Sequence, residues 1–397
     1  MAKLISYPEQ RALEDTAYGH GLVPTRIFTV LLPVWRVEIQ ATVTDAEDYA
    51  VIDRYLERAI AEGGLDTTPE LARFLALDEV IVDRALRFLA AIEHVLVANG
   101  RFTLTPLGAA SVRDQKSYRR SVHDRRKLYF DAFGSRPLTR PYYDSQAVTF
   151  IERHEARRAV DDVAGRGFML ANTPAFRREA LTGLAHATER DTFNLPERIE
   201  NPQSVGEERV YLPLYLVRAA RTRQPPRYLA YSQISDESEP YLTSICENTD
   251  EIASACEHDW APKEDEERRR ISEWLTRRNL GRYRPKRTTE DTWSVTLPAE
   301  AFGRDRALGL SQLGSYIVLG NFFFHTWCAD ESARRRALVE RGNSYLARSG
   351  LVADTATKRV KQMGRQLELG DIDLHTLRRW AIAAGRSELA AQLAPFA

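Results

Sequence analysis

The sequence predicts an α+β chain, helix-rich, with its strands in separate patches. Three observations carry this reading. Apolar residues recur at three- and four-residue spacings in several segments, runs rich in β-branched and aromatic residues interrupt them, and glycine, proline or a capping side chain marks each change. The 397 residues are 43% hydrophobic and 28% charged, a balance that provides for a sizeable core and two or three domains. The 56 basic and 56 acidic residues cancel. Any attraction to nucleic acid therefore has to come from local clusters.

After a polar start, Ile27 to Ile39 (IFTVLLPVWRVEI) reads as a strand interrupted at Pro33. From Asp45 to Glu62 the pattern is helical, with Tyr49, Ile52, Leu56 and Ile60 on one face and Gly63-Gly64 as the stop. Thr68 and Pro69 open a short apolar helix, Leu71 to Leu75. Asp78 caps another from Glu79 to about Glu93, and Ala76, Leu77 and Asp78 form the tight turn between the two. Val95-Leu96-Val97, Asn99-Gly100 and Phe102-Thr103-Leu104 then read as a hairpin, because Asn-Gly suits a two-residue turn that needs positive φ at both positions.

Helix, helix, turn, helix, hairpin: this order, over roughly residues 46 to 110, resembles the winged helix-turn-helix modules of bacterial regulators. So does the exit phrase Phe102-Thr103-Leu104-Thr105-Pro106-Leu107-Gly108. The match covers about a sixth of the chain. It implies duplex DNA as partner, with the second helix of the turn in the major groove and the wing against phosphate or the minor groove. On that helix Val80, Ile81, Ala85, Phe88, Leu89 and Ile92 are assigned to the core, which leaves Arg84, Arg87 and Ala91 facing outward. Arg84, Arg87 and the wing residue Arg101 are the candidate DNA contacts. Asp78, Glu79 and Asp83 bring opposing charge to the same helix, so contact with protein or with a second copy stays open.

Beyond the module, the stretch from Arg113 to Lys127 is basic. Its residues Arg119, Arg120, Arg125, Arg126 and Lys127 are candidates to track phosphates, or are simply solvated charge. A strand follows at Leu128 to Phe130, residues 150 to 200 are mostly helical in pattern, and Asn201 to Glu208 reads as a polar linker. Val210 to Arg218 and Arg227 to Ser232 read as an exposed β-hairpin. Within it, Pro226-Arg227-Tyr228-Leu229 faintly resembles the phrase that names the WYL domain, with arginine where that family has tryptophan. A charged helix from 263 leads to Arg282, Arg284, Lys286 and Arg287, which with Tyr283 have the basic and aromatic makeup of a nucleic-acid surface, or pair with the acids before them. The Phe-rich segment 321 to 327 joins the hairpin as interface material, and 331 to 397 reads as short helices separated by glycines. The expected organisation is an N-terminal strand plus winged helix-turn-helix (1-115), a basic connector and helical middle (116-205), a hairpin-containing domain (206-300) and a C-terminal helical region (301-397). Between the module and that last region lie one or two mixed α/β domains.

No catalytic pattern emerges. Neither G-x-x-x-x-G-K nor G-x-G-x-x-G occurs, so no glycine-rich loop cradles a nucleotide or a methyl-donor cofactor. Ser311 misses the nucleophile-elbow spacing, His154-Glu155 lacks a second histidine, and Asp161-Asp162 and Asp371/Asp373 lack a nuclease lysine. His325 and Cys328 have helix-face spacing but no further ligand or base. Cys246, Cys256 and Cys328 form neither a disulfide framework nor a zinc set, and the start of the chain has no apolar signal core. The expectation is a cytoplasmic, non-catalytic protein without cofactor, metal or membrane. It is a duplex-DNA-binding, homodimeric transcription regulator with a dimerisation and sensing region. The alternative is a subunit of a DNA-processing or anti-phage defence complex that uses the module for protein contacts.

Overall fold

The computed structural model describes residues 5–162, 167–170, 173–221, 224–258, 264–290, 292–346 and 353–396. In chain order, α1 (Glu9–Glu14) runs into a single π-helical turn (Asp15–Gly19) and then β1 (Val23–Glu47). Next come α2 (Val51–Gly63), α3 (Thr68–Leu75), α4 (Glu79–Ala91), β2 (Val95–Ala98), β3 (Arg101–Leu104), α5 (Pro106–Asp114) and β4 (Ser117–Asp131). The middle holds β5 (Ile151–Glu152), α6 (Arg153–Asp162), β6 (Gly167–Met169), α7 (Glu179–Ala185), β7 (Arg198–Arg221) and β8 (Gln224–Tyr231). The rest is α8 (Pro240–Glu247), α9 (Asp250–His258), α10 (Glu264–Thr276), β9 (Lys286–Arg287), β10 (Trp293–Thr296), β11 (Tyr316–Val318) and β12 (Phe323–Trp327), closed by α11 (Glu331–Leu346), α12 (Ala353–Gln366), α13 (Leu374–Ala383) and α14 (Ser387–Gln392). The chain is thus mixed α+β, with several sheets and a helical C-terminal region.

Two compact units interleave along the chain, where the sequence had suggested consecutive segments. One comprises residues 1–33, 146–173 and 210–397, the other 34–145 and 174–209, because β1 and β7 each contribute to both. In the first unit β6 pairs in parallel with Thr29–Leu31 of β1, and β5 and β8 pair antiparallel with β7. A second sheet there has the order β11-β12-β10-β9. Trp274 and Leu275 of α10, Val295, Phe324, Leu338, Val360 and Leu377 fill its main core. In the second unit β4 pairs antiparallel with β1 from Val34–Asp131 to Glu47–Ser117, and Val37, Ile39, Leu128, Phe130, Phe176 and Leu184 pack beside that ladder. The helical segment has its own core of Leu56, Leu71, Val82, Leu86, Leu89, Val95 and Phe102.

Several expectations change. Pro33 does not break β1, which runs from Val23 to Glu47; it falls between the register with β6 that ends at Leu31–Met169 and the one with β4 that begins at Val34–Asp131. The first module helix starts at Val51 and not at Asp45, since Asp45, Ala46 and Glu47 are still paired with Arg119, Tyr118 and Ser117. Asn201 to Glu208 is no linker but the exposed part of β7, its polarity being that of a solvated strand. Between 150 and 200, among the described residues, only α6 and α7 are α-helices. The strands of the hairpin at 210 to 232 are largely buried, with Leu212, Leu214, Leu216 and Tyr231 fully covered, while residues 222–223 of its turn lie outside the described residues. Phe322, Phe323 and Phe324 are likewise core residues at 0–3% exposure, so these side chains are packed inside the protein and not presented as interface material.

The cap of α3 falls on Thr67 and not on Thr68, which is already helical, and the Thr67 side chain accepts from no backbone amide there. Other local signals in the module are met. Asp78 Oδ1 accepts from the Val80 amide at 2.8 Å, and Asn99 and Gly100 adopt φ of +52° and +74° in the two-residue turn. Thr105 caps α5: its hydroxyl accepts from the Gly108 amide at 3.1 Å and donates to the Glu93 carbonyl at 2.6 Å. Gly108 is needed there because a Cβ would lie 2.3 Å from the His94 carbonyl oxygen. Asp78→Ala is expected to cost about 0.5–2 kcal/mol, read as a lower denaturant midpoint at an unchanged slope.

Candidate interaction face of the helical module

α4 carries the residues on which the sequence reading turned. Its buried side is Val82, Leu86 and Leu89, four and three residues apart, with Ala85 and Ile92 half-covered. Assigning Val80, Ile81 and Phe88 to the core was wrong. They are 73%, 46% and 41% exposed. The error has a physical origin: almost every uncharged position of α4 is apolar, so several 3.6-residue stripes fit equally well, and only packing against Leu56 and Val95 selects one.

The outward face is therefore mixed. Arg84 is exposed and forms no ion pair or hydrogen bond among the described residues. Arg87 is exposed and meets Asp83 one turn earlier at 2.5 Å. Arg101, at the start of β3, is held by Asp66 at 2.5 Å. Phe88 is approached on its ring face by the Arg119 guanidinium, 5.6 Å from the centroid. Glu79, Val80, Ile81, Asp83, Arg84, Arg87 and Phe88 thus place aliphatic, aromatic, cationic and anionic groups on one exposed helix surface.

The basic run does not form a free phosphate track. It is strand β4, whose neighbours supply carboxylates. Arg119 meets Glu47 at 3.0 Å, Arg120 meets Glu200 at 3.4 Å, and Arg125 lies 3.7 Å from Glu38. Arg126 bonds Asp45 and Asp124, and Lys127 stands opposite Glu38 in the ladder. The pairs of Arg119, Arg120 and Arg125 are exposed and each is worth about 0–1 kcal/mol, those of Arg126 are half-buried, and together they leave β4 without a positive surplus.

Arg282, Arg284, Lys286 and Arg287 belong to the other unit. Arg282 stacks on Tyr283 at 4.9 Å, while Arg287 lies 3.7 Å from Glu267 and over Trp293. Arg282, Arg284 and Lys286 alternate outward, and no ion pair is formed by these three among the described residues.

The remaining candidates stay separate. His154 is exposed beside Glu155, and Ser311 sits in a 3₁₀ turn. His325 is on strand β12 and not on a helix, so its three-residue spacing to Cys328 loses its meaning. Burial pushes its imidazole down to about 4. All three cysteines are buried thiols outside any disulfide. Among the described residues no three His, Cys, Asp or Glu gather as metal ligands do, and no helix is long and apolar enough to cross a membrane.

No family model matches the chain, and no curated protein or solved structure shows significant similarity to it.

Proposed function

We propose that this chain is a non-catalytic assembly protein whose helical module is a winged helix-turn-helix used for protein contact, α4 pairing with α4 of a second copy. The order α2, α3, α4, β2, β3, with its tight turn after α3, supports the winged-helix reading. The observation that carries the contact reading is the exposure of Val80, Ile81 and Phe88 on the helix that would otherwise read DNA. Exposed apolar clusters edged by charge mark association surfaces, and aromatic residues with arginine are the composition of their centres. The charge pattern fits a second copy. Glu79 and Asp83 lie toward the start of the face and Arg84 and Arg87 toward its end, so two such helices in antiparallel, isologous contact bring opposite charges together.

Duplex DNA is the second reading, favoured by one observation: Arg84 is exposed without a partner among the described residues. Against it stand Asp78, Glu79 and Asp83 at the N-terminal end of α4, the end that meets base edges in helix-turn-helix complexes.

Sedimentation of the full chain separates the two readings. Wild type is expected to dimerise, and Val80→Glu with Phe88→Glu to weaken dimerisation at least about tenfold. A wild type that stays monomeric up to about 100 μM overturns the contact reading. Salt-steep binding of random duplex DNA that is lost in Arg84→Ala/Arg87→Ala would install the second reading in its place.

A further inference from the structure

The first unit holds a cavity unrelated to the helical module. The π-helical turn Asp15–Gly19 lines one side, the loop before α8 another, and α12 a third, enclosing about 330 Å³, near the lower end of the range for small-molecule sites. Asp15 is 6% exposed and already saturated on Oδ2. It accepts from Tyr231 Oη at 3.1 Å and from the Ser238 amide at 3.2 Å, and His20 Nε2 lies 3.3 Å away. The Ser238 hydroxyl meets the same His20 Nε2 at 2.7 Å. Serine and aspartate converging on one ring nitrogen cannot relay a proton through the imidazole, so this trio is no hydrolytic triad.

Cations dominate the opposite wall. Lys358, Lys361 and Arg365, three and four residues apart on α12, face the cavity against the carboxylates Asp15 and Glu237. Arg365 is engaged by Asp371 at 2.6 and 3.0 Å, and Lys358 lies 3.9 Å from Glu237. Lys361 has no ion pair among the described residues. Between these cations Gln362 also lines the cavity. Its Oε1 accepts from Arg359 at 2.6 Å, which fixes the amide, while its buried Nε2 finds no hydrogen-bond partner. A buried amide donor left without an acceptor is costly, by about 1–3 kcal/mol, and such a group beside a free ammonium is what an anion would satisfy.

We propose that this cavity binds a small anion, a phosphate or carboxylate group on a metabolite, held by Gln362 Nε2, Lys361 Nζ and His20. The site is independent of the α4 contact face. Its occupant reaches the π-turn, α12 and the Ser238 loop at once, and so stabilises the first unit on binding.

Calorimetric titration of the full chain with inorganic phosphate and, separately, citrate, each against sodium chloride of matched ionic strength, tests the assignment. Saturable binding of at least one is expected, weakened about tenfold by Lys361→Gln and by Gln362→Leu, and unchanged by Lys127→Gln on β4. Which anion saturates tells phosphate from carboxylate. Lys361 is exposed, so its variant folds and its result stands even if the Gln362 variant does not. Absence of saturable binding of both anions, or equal affinity in wild type and Lys361→Gln, overturns the proposal.

Discussion

His94→Gln is expected to destabilise the second unit by about 3–5 kcal/mol, the cost of leaving a buried charge without its partner. His94 and Glu57 have fully buried side chains, with Nδ1 2.6 Å from Glu57 Oε1. Nε2 bonds the Tyr118 carbonyl oxygen. The Tyr118 carbonyl only accepts, so Nε2 carries a hydrogen, and opposite an ionised Glu57 both ring nitrogens donate, which makes the ring an imidazolium. Three elements are tied by it: α2 through Glu57, the turn after α4 through His94 itself, and β4 through Tyr118. Burial disfavours the charge, but the Glu57 and Tyr118 hydrogen bonds and the charges of Glu57 and Asp53 outweigh it and raise the pKa above the ordinary histidine value.

The sign of the pH dependence follows. A folded-state pKa above the unfolded one of about 6.5 means that the stabilisation is complete below about pH 6.5 and is lost as pH rises through the raised value. Urea midpoints for wild type should fall across that window, while those of His94→Gln lack this component. The double variant Glu57→Leu/His94→Leu should recover much of the loss, because an apolar pair of similar size tolerates burial better than half an ion pair. Equal losses in single and double variants would rule the imidazolium out.

What the sequence disclosed divides by range of interaction. The Asp78 cap, the Thr105-Pro106 start and the Asn99-Gly100 turn act within a few residues, and the elements they bound lie where the spacing put them. Pairings across long separations were not legible. Arg120 meets Glu200 and Arg126 meets Asp45, each about 80 residues away, and only the β1–β4 register and the course of β7 bring them together. That is why a basic run in sequence is a neutral ladder in space. β4 hid for a related reason: from Arg119 to Lys127 most of its side chains are exposed, so no alternation of apolar residues announces a strand. The wall of the anion cavity was equally silent, because Asp15, Ser238 and Gln362 are unremarkable until three distant segments meet.

Arg341→Met should rank with His94→Gln in effect, at about 3–5 kcal/mol in the first unit, for a different electrostatic reason. Arg341, on α11, is buried and donates Nη2 to the carbonyl oxygens of Ser311 at 3.0 Å and Leu313 at 2.5 Å. Near it Glu14 of α1 is buried and accepts from the Ser315 hydroxyl at 2.7 Å. Burial alone would raise the Glu14 pKa, yet Arg341 first, then Arg11 and the hydrogen bonds of Ser315 and Gln366, hold it below the usual carboxylate value. A lowered folded-state pKa stabilises above the unfolded value of about 4.3 and ceases to do so as pH falls through the folded one. Without Arg341 the balance reverses: burial dominates, Glu14 takes up a proton more readily, and the deficit of the variant should shrink as pH is lowered from about 7 to about 5. Glu14→Gln added to Arg341→Met should restore more than half of the lost stability, since it removes the stranded charge. Simple additivity of the two substitutions in denaturant midpoints would instead show that Arg341 acts only through the carbonyls of Ser311 and Leu313.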